Sequence, residues 1–195
     1  LFRSAAEALG TLVERCFREI ARRLGAGVRT TEWEIQQLML EGFREHGLVA
    51  DHDPIVAVDA HAADPHYAPQ AGGSAEIRRG QLVLIDTWAK QEAAGSIYAD
   101  VTWVGYTADV APAEVQKVFE IVRDARDAGL GAVERALREQ TPIRGCDVDD
   151  VCRGVISQAG YGEYFIHRTG HSIHESGHGN GANLDNFETR SEEHT

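Results

Sequence analysis

With 195 residues, 43% of them hydrophobic, the chain is sized for one domain with a substantial core. Its 31 acidic against 19 basic side chains give a formal net charge of -12, which argues against nonspecific binding to nucleic acid or to an anionic membrane. Cys16, Cys146 and Cys152 form neither a disulfide framework nor a close metal-binding repeat, no window has the length and apolarity of a spanning helix, and Leu1–Ala6 lacks a signal-peptide layout. These features predict a cytoplasmic protein. The absence of an initiating Met and the polar run Arg190–Thr195 further suggest a fragment.

The first predicted element is a helix from Phe2 to about Leu24, with Ala5, Leu9, Leu12, Val13, Phe17, Ile20 and Leu24 recurring near the helical period. Gly25–Gly27 stops it, and Thr31 followed by Glu34 reads as a capping box for a second helix. Trp33, Ile35, Leu38, Met39 and Phe43 supply that helix's apolar stripe. A short strand over Pro54–Val58 leads into Asp59–Pro69, where two prolines and polar residues predict an ordered loop rather than a helix. In this loop Pro65 and Tyr67 restrict the backbone around His66, so its ring is a candidate site group.

Leu82–Trp88 and Ile97–Tyr106 are predicted strands joined by a hairpin-like connection, which would set Asp86 and Asp100 side by side. A carboxylate inside such apolar strands needs a partner, because burying it uncompensated costs several kcal/mol or forces protonation. A long helix follows Pro112, with Val115, Val118, Phe119, Val122, Ala125, Leu130, Val133 and Leu137 as its expected core face and Gly129 and Gly131 as a weak middle. A shorter helix over about Val148–Ala159 is expected to bury Val151, Val155 and Ile156, with Asp147, Asp149 and Asp150 favouring its dipole. Helix pairs alternating with strand pairs predict an α+β fold, with helices over a strongly curved, largely antiparallel sheet. No Gly-x-Gly-x-x-Gly turn or phosphate loop supports a nucleotide-binding alternative.

The densest chemistry lies in Phe165–Gly179, which carries four of the nine histidines among glycines that permit close backbone approach. Imidazoles beside carboxylates suit divalent-metal or proton-transfer chemistry.

Taken in order, the helix pair, the Pro65-His66-Tyr67 loop, the Asp86 and Asp100 strands, the second helix pair and His167-Arg168-Thr169-Gly170-His171 with His178 seven residues on resemble one family. It is the M24 metallopeptidase family of creatinase, aminopeptidase P, prolidase and methionine aminopeptidase, with the aminopeptidase P and prolidase branch most similar. The resemblance implies a pita-bread fold, residues 1–195 forming a C-terminally incomplete catalytic domain. It implies metal ligation by Asp86, by Asp100 bridging two ions, and by His171. It gives His66, His167 and His178 substrate-facing roles, with His178 stabilising the carbonyl or tetrahedral intermediate, and leaves His174 without one.

The implied cofactors are two divalent ions, Mn²⁺ first among Mn²⁺, Co²⁺, Zn²⁺ and Fe²⁺. The implied reaction is hydrolysis of an amino-terminal peptide bond, often before proline, by a homodimer. Three features depart from the family pattern: the interval from Asp86 to Asp100 is three residues longer, Trp88 replaces a common glycine, and Gly179 follows His178 where the family often has Glu. Two further glutamate ligands of the family have no match here, since Glu188, Glu192 and Glu193 sit in a polar segment, so little activity is expected of the isolated chain. A metal-free binding protein and a creatinase-like amidinohydrolase are the alternatives.

Overall fold

The computed structural model describes residues 2–187, which separate into two compact units, 2–111 with Ile173–Gly177 and Pro112–Ser172 with 178–187. The first unit opens with α1 (Phe2–Gly25), whose Ala5, Leu9, Leu12, Val13 and Ile20 are buried, as the helical repeat predicts, with Phe17 and Leu24 half-buried against the same core and Cys16 buried besides. Next comes α2 (Glu32–Glu45). It starts with the predicted capping box, Thr31 Oγ1 accepting from the Glu34 amide and the Glu34 carboxylate accepting from the Thr31 amide.

Four strands follow: β1 (Leu48–Val49), β2 (Ile55–Val58), β3 (Leu82–Gln91) and β4 (Ala99–Tyr106). β3 is the shared partner, antiparallel to each of the others. Its burial alternates residue by residue: Val83, Ile85 and Ala89 join Leu9, Leu12, Ile35 and Met39 in one apolar core, and Leu84, Asp86 and Trp88 lie half-buried on the opposite face. β1 carries too few residues for a periodic signal and was not expected.

The Asp59–Pro69 segment departs from the expected non-helical loop, because Asp59–Ala63 forms a short 3-10 helix. Asp59 initiates it at φ 47, a left-handed conformation that Asp tolerates, and its carboxylate accepts from the Leu82 amide and the Gln81 side chain. The prolines fall beyond this turn and do not oppose it.

The second unit pairs α3 (Ala113–Glu139) with α4 (Gly145–Gln158). Here the expected core face of α3 is corrected. Val118, Phe119, Val122, Leu130 and Leu137 are exposed and Val115 and Val133 half-buried; Ala125 is buried as expected, and Gly129, Ala132 and Ala136 are buried with it. Small side chains let α3 and α4 approach closely: a Cβ added at Gly129 would lie 2.4 Å from Cys152 Sγ. Gly129 therefore serves a helix contact, and α3 is assigned as one helix throughout. In α4 the buried residues are Val148, Asp149, Cys152 and Ile156, with Val151 and Val155 only half-buried. The helix starts earlier than expected because Asp147 caps it, accepting from the Arg144 amide at 3.0 Å. Among the described residues no helix is long and apolar enough to cross a membrane.

Candidate metal centre

In the first unit the β3–β4 register sets Asp86 opposite Thr102 and Trp88 opposite Asp100. Directly opposed side chains share a face, and positions two apart on one strand do as well, so all four project from the same side of the sheet. The two carboxylates are thus diagonal neighbours on the side away from the apolar core. Asp86 is half-buried and Asp100 exposed, while Thr102 Oγ1 donates to Asp86 Oδ1 at 2.6 Å and fixes that carboxylate's orientation. The lengthened hairpin leaves this pairing intact. Trp88 donates its indole N–H to Asp51 Oδ1 at 2.9 Å. Burial acts to raise the Asp51 carboxyl, but hydrogen bonds led by the one from Trp88 outweigh it and hold Asp51 below the usual carboxylate range.

His66 is exposed on its loop, and its amide donates to Asp64 Oδ1 at 2.9 Å. The neighbouring Tyr67 is tied down through a buried carboxylate that the sequence pattern did not single out. Glu32 is fully buried and accepts from the Val58 amide at 2.8 Å, the Ala75 amide at 2.8 Å, His61 Nδ1 at 2.9 Å and the Tyr67 hydroxyl. His61 stacks on Tyr67 with ring centroids 4.2 Å apart. Burial, then the bond to Glu32, pushes the Tyr67 phenol up to about 12, so it remains a donor at neutral pH. His174 is exposed, and its carbonyl accepts from the Tyr98 amide at 2.9 Å, in keeping with a role outside the site.

The second unit holds the other candidate histidines, His167, His171 and His178. The His171 and His178 rings meet edge to face, with centroids 4.5 Å apart. His171 Nδ1 lies 3.0 Å from the Ser172 carbonyl oxygen. A carbonyl only accepts, so Nδ1 is the donor in this bond, the kind of contact that orients a metal-binding imidazole. Arg168 Nη2 stands 3.5 Å from His178 Nε2, which makes that nitrogen an acceptor and adds an unanticipated cation to the site. His167 is exposed, and its Nδ1 lies 3.3 Å from the Arg168 carbonyl oxygen.

Within neither unit do three His, Cys, Asp or Glu side chains gather as a ready metal cage among the described residues. The first unit brings Asp86 and Asp100 together; the second brings His171 and His178 together, with His167 on the same loop. Glu188, Glu192 and Glu193 lie outside the described residues. In the first unit two carboxylates on one sheet face, and in the second an imidazole whose Nδ1 faces a carbonyl, are each donors of the kind that divalent cations of the Mn²⁺ to Zn²⁺ series accept.

Comparison with known proteins identifies the family. An uncharacterized peptidase of Staphylococcus aureus strain USA300 is 30% identical over 176 residues, covering 88% of this chain and 44% of the relative. The recombinant prolidase of Thermococcus sibiricus superposes with a TM-score of 0.68 at 29% identity, over 93% of this chain and 46% of that one. The X-Pro aminopeptidase of Thermotoga maritima MSB8 gives a TM-score of 0.66 at 27% identity, over 93% and 48% of the two chains. The chain thus spans about half the length of the proteins it matches. Residues 3–194 match the profile of metallopeptidase family M24, and with its α+β architecture this chain belongs to that family.

Proposed function

We propose that the full-length protein is a divalent-metal-dependent peptidase cleaving an amino-terminal peptide bond, with Xaa-Pro peptides as its substrates. The observation that carries this reading is the shared face of Asp86 and Asp100 on the β3–β4 ladder, with Thr102 orienting the first of them. On this reading Asp86 and Asp100 would supply carboxylate oxygens, and His171 an imidazole nitrogen, to two divalent ions. When bound, the ions supply Lewis acidity toward the scissile carbonyl and acidify a water molecule.

The remaining groups act on substrate. His178, its Nε2 beside Arg168, would turn Nδ1–H to the oxygen of the scissile carbonyl, where a positioned donor stabilises developing negative charge. His66 and His167 are both exposed on anchored loops, and they orient the peptide through hydrogen bonds. Mn²⁺ as the resident metal and a homodimeric assembly belong to the same proposal and rest on the family resemblance, and a cytoplasmic setting belongs to it on the cysteine usage.

A peptide panel tests it. After removal of metal and reloading with Mn²⁺, Co²⁺ or Zn²⁺, the full-length protein should hydrolyse Ala-Pro or an Ala-Pro-initiated peptide and lose that activity to a chelator. Equal cleavage of peptides lacking proline would refute the substrate class, and chelator-insensitive cleavage would refute metal dependence.

A further inference from the structure

We propose that Asp149 and Arg153 of α4 are positioning residues for the candidate centre, a clamp that holds the His167–His171 segment to the Asn183–Asn186 segment. Its relevance to catalysis rests on the peptidase reading above; the clamp itself rests on the contacts that follow.

Asp149 is fully buried in a helix whose other buried residues are mainly apolar, and helix-dipole complementarity does not require that burial. One carboxylate oxygen, Oδ1, accepts from the Thr169 amide at 2.9 Å and the Thr169 hydroxyl at 2.6 Å; the other accepts from the Asn186 amide at 3.0 Å. Arg153, one helical turn on, bonds Asp149 through Nε at 3.1 Å and Nη2 at 3.3 Å. The same guanidinium donates to the Phe165 carbonyl at 2.7 Å and the His167 carbonyl at 2.9 Å, and it lies over the Phe165 ring at 4.2 Å. Arg fits this task because its planar fork offers several donors at once, whereas Lys offers a single point charge.

The two segments so held are also paired to each other. Gly170 and Leu184 exchange backbone hydrogen bonds at 3.2 and 3.0 Å, and the Ser172 amide donates to Asn183 Oδ1 at 3.2 Å. Asn183 packs on the first residue of α4 so tightly that a Cβ added at Gly145 would lie 1.8 Å from its carbonyl oxygen. α4 therefore fixes both sides of the loop, and Asp149 is bonded to both. None of these contacts involves the imidazoles, so the residues act by setting the backbone from which His167 and His171 project.

The test uses the full-length protein with Asp149→Asn, Arg153→Lys and Thr169→Val variants. Asn supplies one acceptor oxygen, so Thr169 and Asn186 cannot both be satisfied; Thr169→Val loses the hydroxyl bond alone and keeps the proposal testable should Asp149→Asn misfold. Hydrogen exchange over residues 166–172 should accelerate at least about tenfold in the first two variants and less in the third, with α1 and β3 unchanged. The ¹⁵N imidazole resonances of His167 and His171 should move, and the dissociation constant for Mn²⁺ should rise about tenfold, as for loss of outer-shell support. Wild-type exchange and unmoved imidazole resonances in folded variants would overturn the clamp. A wild-type protein that binds no Mn²⁺ would instead defeat the peptidase reading, with exchange and resonances still deciding the clamp.

Discussion

Asp86 and Asp100 occupy diagonal positions on one face of the β3–β4 ladder, with Thr102 and Trp88 filling the other two corners. Thr102 donates to Asp86, and the Trp88 indole is drawn aside to Asp51. A bulky aromatic thus stands beside the two acids without taking either as its hydrogen-bond partner through the indole N–H. Replacing Asp86 or Asp100 by Asn should leave the fold intact, since neither side chain belongs to the buried core. Metal affinity should fall by at least about 100-fold, more than loss of an outer-shell partner typically costs, and Thr102→Val should cost about tenfold. Calorimetric titration with Mn²⁺ measures all three.

Glu32 should dominate the stability of the first unit. Glu32→Ala leaves the Val58 and Ala75 amides without their buried acceptor, and unmaking such bonds costs about 1–3 kcal/mol per group. Urea unfolding should show a loss of several kcal/mol, near the stability of a small domain. Tyr67→Phe, which removes one donor, should lose about 1 kcal/mol. A change below about 0.5 kcal/mol in Glu32→Ala would mean the hub contributes nothing net.

The Tyr67 phenol also sets an alkaline limit. Its folded value is raised from 10.0 to about 12, so its contribution is fully present below pH 10 and is lost as pH rises through about 12. Unfolding free energy should therefore decline over that window in the wild type and more shallowly in Tyr67→Phe.

Asp149 predicts an acid limit of the opposite sense. Burial acts to raise its carboxyl, but bonds from Arg153, Thr169 and Asn186 outweigh burial and hold it below its ordinary 3.8. A lowered value means stability present above about pH 4 and lost as pH falls through the folded value. Stability measured from pH 6 downward should fall less steeply in Asp149→Asn than in the wild type.

Gly145→Ala tests the seat of α4. Helix propensity alone favours Ala by about 1 kcal/mol, yet the added Cβ meets the Asn183 backbone, which cannot rotate away as a side chain can. Steric cost should win, with a net loss of about 1–3 kcal/mol and faster exchange near Asn183. A gain in melting temperature would show that this segment yields freely.

Much of this arrangement was legible in the sequence. Period-3.6 and period-2 patterns located α1, α2 and the β3–β4 hairpin, and the acids at positions 86 and 100 and the histidines at 167, 171 and 178 stood out by type and spacing. Asp149 and Glu32 did not, because an acid in the first turns of a helix is already accounted for by the dipole, and nothing local records that its carboxylate is buried among distant amides. α3 misled for a related reason. Its Val, Phe and Leu stripe met the hydrophobic template, but the contact with α4 is made by Ala and Gly, where closeness rather than side-chain size decides which face is covered. The i,i+4 spacing of Asp149 and Arg153 was the available clue to the clamp.

Metal content by elemental analysis, measured on the folded full-length protein after loading with Mn²⁺, tests the central claim most directly. The account predicts about two ions per chain, as expected for a two-metal site, falling sharply in Asp86→Asn, Asp100→Asn and His171→Ala. A folded protein that retains no metal, or that retains it unchanged in all three variants, would contradict the metallopeptidase assignment of these residues and favour a metal-free role for the fold.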